Sequence, residues 1–419
     1  MGKSRQWLYL PVEVKVRELD AKLLLAYYAL KEGFTVIVGE HKMVEKAAQL
    51  YPPGIFFSKG YPHGYRKIVI TNAEKFNHKI VELDEEGLLL YDKEMYMRDR
   101  MRPDMLNKVS QEYCWGNFQK DLIAKTYPIQ KEKCKVVGNP RFDLLHPKFQ
   151  QIYRKQVDEI KKQYGPFILV NTRFPLYNPM KGKKTGNLNE ISYYIKELFY
   201  HFIDMAKVVC QQFPDLNVVV RPHPGENIQT YKKAFDSYKN AYVLREGNAV
   251  NWLSASNCMI QNGCTTSIEA FLLKKPIISF LPLSSPFDVA LPNEMGEKVE
   301  NISDLISLIK KEELYKKNYQ HQSRARIELL EKYYTPGEKF SYQSIIDLMK
   351  ELVTNPADMK SAEQPNLKRE KNKKLMHMFP SLSQAEILGF FRKIDDVEKE
   401  ANNIKVEGLG KDLFRIDRV

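Results

Sequence analysis

The chain has 419 residues, is 43% hydrophobic and 28% charged, and carries a net charge of +13. The length exceeds one ordinary core, so two domains with additions are expected, and the composition is that of a soluble globular protein. The positive balance points to an anionic partner, whether nucleic acid, anionic lipid, or a phosphorylated or acidic sugar.

In chain order, "QWLYLPV" (6–12) reads as a strand and "ELDAKLLLAYYALKEG" (18–33) as a helix with a glycine stop. "FTVIVG" (34–39), "GIFFSKG" (54–60) and the start of "KIVELDEEG" (79–87) read as further strands, with "MVEKAAQLY" a helix between the first two. "YCWGNFQKDLIAKTY" reads as strand end, turn and helix. "CKVVGNPRFDLL" (134–145) closes this half with a strand and a Gly-Asn-Pro turn. The pattern then restarts. A charged helix (149–164) leads to the strand "PFILVNTR" (166–173), a long helix (about 190–212) and "LNVVVRPHPGE". "AYVLREGN", "CMIQNGCTTSIEAFLLKKP" and "IISFLPL" supply three more strands. Alternation of this kind predicts parallel sheets covered by helices, in two successive doubly wound, Rossmann-like halves. Ligands of such sheets lie beyond the carboxyl ends of strands, here a cleft between the halves.

Three stretches fall at such ends. "VVVRPHPGE" runs a buried strand into Arg221, Pro222, His223 and Pro224, an elbow whose prolines restrict the backbone around one imidazole. A solvent-facing histidine in a strand-ending turn is the plainer alternative. "QNGCTTSIEA" places Gly263, Thr265, Thr266 and Ser267 at the start of a helix, with Glu269 in its first turn. Hydroxyls there suit a phosphate, although one of them would serve as an ordinary cap. "LDEEG" puts Asp84, Glu85 and Glu86 together, where repulsion and burial could raise a carboxyl's pKa; a solvated acidic turn is the alternative. Glu18, in "EVKVRELD" at the first strand–helix junction, is a rival acid, or a helix-start acid facing the dipole. Arg173 and Arg221 end strands and could neutralise phosphate or a sugar carboxylate.

The order acid-acid-Gly, then His-Pro, then a hydroxyl pair resembles that of bacterial sialyltransferases and polysialyltransferases. The series "LYLPVEVKVRELDAKLLLA", "DEEG", "VVGNPRFD", "RPHPGE" and "NGCTTSIEA" also resembles the bacterial surface-carbohydrate biosynthesis family, similar in character to capsule Kdo transferases. The resemblance covers residues 6 to about 345. It implies the glycosyltransferase-B arrangement of two Rossmann-like domains, and transfer of an acidic sugar from a CMP donor to a surface glycan or its lipid-linked precursor. It implies Glu85 as general base, or Asp84 if the register is shifted by one. His223 would act at the departing phosphate, Thr266 and Ser267 on that phosphate, and Glu269 near the ribose. The Kdo-transferase likeness implies Glu18 as base instead. "VVGNPRFD" and His-Pro are similar to UDP-N-acetylglucosamine 2-epimerases and teichoic-acid glycerophosphotransferases too, which keeps those reactions open. A non-catalytic polyanion-binding protein is the reading from another class.

The expected domains are 1–150, the acceptor side; 151–352, the nucleotide-sugar side; and 353–419, a charged linker with a helical tail over 382–405. The basic run Lys368, Arg369, Lys371, Lys373 and Lys374 could dock on anionic lipid, or be a solvated linker. No run of about 18 apolar residues predicts a membrane span. The start lacks a signal peptide's apolar segment, so a cytoplasmic protein, peripheral to the inner membrane through this tail, is expected. Five scattered cysteines without a CxxC pair argue against a disulfide framework or zinc. No metal and no other cofactor is expected, since no Asp-x-Asp pair is placed to hold one. No nucleic-acid motif is present, so no nucleic acid is expected as partner.

Overall fold

The structure, a computed structural model, describes residues 6–88, 92–180, 189–315, 323–335, 337–352, 354, 367 and 373–419. The chain forms two compact units, one of Met1–Ile152 with Leu330–Val419 and one of Tyr153–Leu329. The first opens with strands β1 (Trp7–Val12), β2 (Thr35–Glu40), β3 (Ile55–Ser58), β4 (Lys79–Leu83), β5 (Gln111–Cys114) and β6 (Cys134–Val136), all paired in parallel. Helix α1 (Lys15–Lys31) follows β1, α2 (His41–Ala47) follows β2 and α3 (His63–Lys75) follows β3. Every residue of β2 is buried, because helices cover a parallel sheet on both faces and its strands read as unbroken apolar runs. Met43 and Val44 of α2 and Val69 and Ile70 of α3 pack on Tyr9, Ile37 and Phe56 of three neighbouring strands.

The second unit holds β7 (Phe167–Asn171), β8 (Asn217–Arg221), β9 (Ala241–Val243), β10 (Cys258–Gln261), β11 (Ile277–Phe280) and β12 (Glu297–Val299), in the spatial order β12-β11-β10-β7-β8-β9. Helix α4 (Glu190–Gln212) is capped by Asn189, whose side chain accepts from Ser192 N. Its Leu198, Phe202, Met205 and Val209 pack with Ile168, Val170, Val218 and Val220. Two shorter helices, α5 (Ile228–Phe235) and α6 (Thr266–Leu272), follow β8 and β10.

The chain then returns to the first unit at Leu330, earlier than the boundary expected at 352, while the first division, after Ile152, lies close to the expected 150. Helix α7 (Ser341–Lys350) belongs with the first sheet. Its opening amides, Ser341 N and Tyr342 N, each donate to Asp143 at 2.9 Å, which satisfies two of the four N–H groups a helix start leaves unpaired. The tail is not simply linker and helix. Helix α8 (Gln384–Glu398) stops earlier than predicted, at Lys399 with φ 57°. A hairpin of β13 (Ile404–Gly410) and β14 (Leu413–Arg418) follows. Strand β14 pairs antiparallel with β2, so the first sheet has the order β13-β14-β2-β1-β3-β4-β5-β6. The approach is close at Gly39, where a Cβ would lie 2.2 Å from the Asp412 carbonyl oxygen. Tyr27 of α1 donates to Asp395 at 2.6 Å and Thr35 to Asp417 at 2.8 Å. Lys368, Arg369 and Lys371, with the side chains of Lys373 and Lys374, lie outside the described residues. Among the described residues no helix is long and apolar enough to cross a membrane.

Ile387, Phe391, Ile394, Leu413 and Ile416 are buried. At about 1.5–3 kcal/mol for each such side chain, their sum is comparable with the whole net stability of a domain, about 5–15 kcal/mol. Deleting residues 373–419 is therefore expected to unfold the first unit and expose the β2 edge to association. Calorimetry and gel filtration of the truncated chain test this; a monomer that keeps the wild-type melting profile would show the tail to be dispensable.

Candidate functional site

In the second unit the chain runs β7, β8, β9 toward one edge, then returns to β10, β11, β12 on the other side. The switch falls between β7 and β10, and ligands of open α/β sheets bind beyond the carboxyl ends at such a point. Arg173, just past β7, donates from Nε to Asn262 O at 2.7 Å and from Nη2 to Asn262 Oδ1 at 3.2 Å, just past β10. Gly263 makes this possible. It has φ +59° and a Cβ there would stand 2.5 Å from Arg173 Nε, so only glycine suits both the backbone and the guanidinium. Thr266 accepts from Asn171 Nδ2 at 2.8 Å and lies 3.0 Å from Cys264 Sγ. Thr265 is exposed and Thr266 half-buried, while Glu269 is buried in the first turn of α6. Ser267 has another job. It is buried and donates to Pro292 O at 2.9 Å, which corrects its expected place on a phosphate.

The elbow after β8 is shaped by a residue that sequence reasoning missed. Glu226 is 0% exposed. It accepts from Thr172 Oγ1 at 2.6 Å, from His223 N at 3.0 Å and from the Tyr231 hydroxyl. Burial raises its pKa, partly offset by these donors. The His223 ring is exposed, and its Nδ1 accepts from Gly225 N at 3.0 Å. In the neutral ring the proton then sits on Nε2, which makes that atom a donor. Pro224 is exposed and its carbonyl accepts from Arg245 at 3.1 Å. Arg221 departs from expectation. It donates to Glu246 O at 2.6 Å and Gly247 O at 2.7 Å with its guanidinium over Trp252. Burial pulls its pKa down to about 10. It braces a loop and is not presented to a phosphate.

In the first unit the two rival acidic stretches meet in one network at the ends of β1, β3 and β4. Glu18 is 1% exposed; it accepts from Glu13 N at 2.8 Å and lies 3.3 Å from both Arg17 and Lys59. Lys59 donates to Glu13 at 2.6 Å, and Arg17 to Glu86 at 2.8 Å. Glu85 is buried with Lys22 at 3.1 Å. Burial alone would raise the Glu85 pKa. Lys22, then Arg141, Arg17 and Lys59, outweigh it and hold the carboxyl well below the usual carboxylate range. A carboxylate so paired is a weak proton acceptor, which counts against Glu85 as general base. Asp84 is the opposite case. Burial, only partly offset by Arg100 at 2.8 Å, pushes its pKa up to about 6. Its Oδ2 is buried without a hydrogen-bond partner, but the side chain is fully enclosed rather than presented to a ligand. The lysine within "DAKLLLA", which stands inside an apolar helical run, and the one ending "GIFFSK", which follows an apolar strand, are the available signals.

No family model matches the chain, and no curated protein matches it. Solved structures do. A Staphylococcus aureus MnaA–UDP structure aligns with TM-score 0.53 and 14% identity, covering 85% of this chain and 100% of that one. The UDP-GlcNAc 2-epimerase of Methanocaldococcus jannaschii aligns with TM-score 0.54 and 13% identity, covering 83% and 99%. A variant of the wall teichoic acid polymerase TagF aligns with TM-score 0.55 and 14% identity, covering 83% and 89%. At such identities the likeness is one of fold. The chain has two Rossmann-like units of the glycosyltransferase-B class, as the motif order implied.

Replacing Lys22 by Met leaves Glu85 charged, buried and short of its nearest partner. The expected cost is about 3–5 kcal/mol. Adding Glu85→Leu should recover most of it, because an apolar pair of similar size has no desolvation to repay. Urea unfolding of both variants measures the cycle. A single variant that loses less than about 1 kcal/mol would class the pair with ordinary surface bridges.

Proposed function

We propose that the protein is an enzyme acting on a nucleotide-activated sugar or polyol in surface-glycan synthesis, with the second unit holding the nucleotide's phosphates. The observation that carries this is the grouping of Arg173, Thr266 and His223 past three adjacent strands at the switch point. Breaking the bond between such a cargo and its nucleotide leaves negative charge on phosphate. A guanidinium, a hydroxyl and an imidazole N–H already oriented there would stabilise it. The UDP-bound and UDP-GlcNAc-bound relatives by fold support a nucleoside diphosphate over CMP, and an epimerase-like reaction. Transfer of an acidic sugar from a CMP donor is the second reading. The series "DEEG", "RPHPGE", "NGCTTSIEA" favours it, although Glu85, committed to Lys22, would not be its base.

Thermal shift and calorimetric titration with UMP, UDP, UDP-GlcNAc, CMP and CDP-glycerol decide between them. A ligand at 100 times its Kd stabilises by about 2.7 kcal/mol. UDP or UDP-GlcNAc is expected to raise the melting temperature most, and Arg173→Ala to weaken that binding about tenfold or more. His223→Ala should slow turnover about 100-fold while leaving binding within a few-fold. Stabilisation by CMP alone would favour the second reading. No response to any nucleotide would overturn both.

A further inference from the structure

Helix α4 follows β7, so its first turns lie at the carboxyl end of the second sheet. Its inner side packs on the strands, and its outer side carries Tyr193 and Tyr200. Seven residues bring the helix back to nearly the same angle after about 10.5 Å of rise, so the two rings stand on one face. The Tyr200 hydroxyl lies 2.7 Å from that of Tyr177 in the loop after β7, with ring centroids 5.7 Å apart. Leu176 and Met180 flank Tyr177 in that loop. Leu176, Met180, Tyr193 and Tyr200 are each 44–56% exposed. Single exposed apolar side chains are ordinary, but a group of them marks a contact surface.

The surface is held rigidly. Phe174 and Tyr177 pack on Phe199 of α4 with centroids 6.2 and 5.3 Å away. The far end of the loop is tied to the elbow after β8. Met180 N donates to Gly225 O at 2.8 Å, Asn227 N to Asn178 O at 2.9 Å, and Asn178 Nδ2 to Asn227 O at 3.0 Å. The rings therefore form a platform continuous with the His223 turn, and a ligand lying on them orders little of the protein.

Charge narrows the choice of ligand. Lys196, between the two rings along the helix, has its ammonium 5.6 Å from the Tyr193 ring centroid and 3.7 Å from Glu197. Glu190 and Asp204 are exposed toward the two ends of the same face. The face has no positive excess, although the chain carries +13, which weighs against a polyanion or an anionic lipid surface. An uncharged ligand with apolar faces and a hydroxyl edge suits it. Saccharide rings have C–H groups on their faces and hydroxyls around them, and tyrosine offers a ring face and an O–H.

We infer that this face of the second unit binds an uncharged saccharide chain, with one sugar stacked on Tyr193 and another on Tyr200. The choice of a saccharide rests on the glycan chemistry proposed above, while the site itself needs no nucleotide.

The probes are chitotetraose and maltotetraose, with N-acetylglucosamine and glucose as their single-ring arms. They are titrated calorimetrically into the full chain, and saturation-transfer NMR reads contact at the saccharide C–H protons. At least one tetrasaccharide is expected to bind at a single saturable site, about tenfold or more tighter than its monosaccharide, because linked contacts reinforce one another. Tyr193→Ser with Tyr200→Ser should weaken it by about the same factor. Tyr193→Phe with Tyr200→Phe should keep most of the binding, since the stacking faces survive. Circular dichroism checks that both double variants fold, and Tyr193→Ser alone, which keeps the Tyr200–Tyr177 contact, carries the same test with less disturbance. Absence of a saturable site for both tetrasaccharides overturns the inference. So does binding unchanged in the double serine variant, or a monosaccharide that binds as tightly as its tetrasaccharide. A concentration-dependent dimer in sedimentation, abolished by the same variant, would assign the face to a second copy of the chain and overturn it too. UDP titrated into the same samples separates the two readings. Nucleotide binding without saccharide binding overturns this inference alone, and saccharide binding without any nucleotide binding supports it while overturning the nucleotide site.

Discussion

A carboxylate taken out of water keeps its charge only where cations or N–H and O–H donors replace the lost solvation. Both candidate sites are organised by that requirement, and they meet it differently. In the first unit Glu18 and Glu85 are buried among lysines and arginines, so the loops after β1, β3 and β4 are held by ion pairs. In the second unit Glu226 has hydroxyl and amide donors instead, from Thr172, Tyr231 and His223. The first solution favours permanent charge and rigidity. The second locks the exit of β7 to the elbow after β8 and leaves the His223 ring at the surface.

The phosphate role proposed for the second unit would depend on this arrangement more than on any single ligand. Arg173 is pinned on Asn262, and the turn beneath it is held by Gly263 N donating to Asn293 at 2.6 Å and Cys264 N to Gln261 at 2.8 Å. Donors fixed in advance need little reorganisation when charge develops on a departing group. Arg221 and Ser267 contribute at one remove, by spending their donors on the carbonyls of Glu246, Gly247 and Pro292.

Much of this was legible in the sequence. "FTVIVG" and "NVVVR" read as strands because a parallel sheet buries both faces and needs continuous apolar residues. "RPHPGE" and "NGCTTSIEA" read as strand exits because proline and glycine mark them. What stayed hidden was the direction in which polar side chains point. An arginine after a strand looks the same whether it sits on the turn after β10, as Arg173 does, or on the loop of Glu246 and Gly247, as Arg221 does. Partners lie far apart along the chain, 46 residues for Lys59 and Glu13 and 54 for Thr172 and Glu226, so no local pattern announces them. The final hairpin was missed for a local reason. Gly408 and Gly410 interrupt its alternation, and the bulge between them shifts the register.

The way β14 closes the first sheet also has a consequence for synthesis. Thr35, at the start of β2, meets Asp417 of β14 across 382 residues of chain. At about 5–20 residues per second, β2 leaves the ribosome roughly 20–80 s before its partner strand exists. The second unit, contiguous in sequence, can complete itself during that interval. The first cannot, and its apolar β2 edge remains open to chaperones or to a neighbouring nascent chain. Translation order thus makes the last strand a checkpoint, so that a ribosome stalling anywhere after the second unit releases a chain with one finished half and one unfinished.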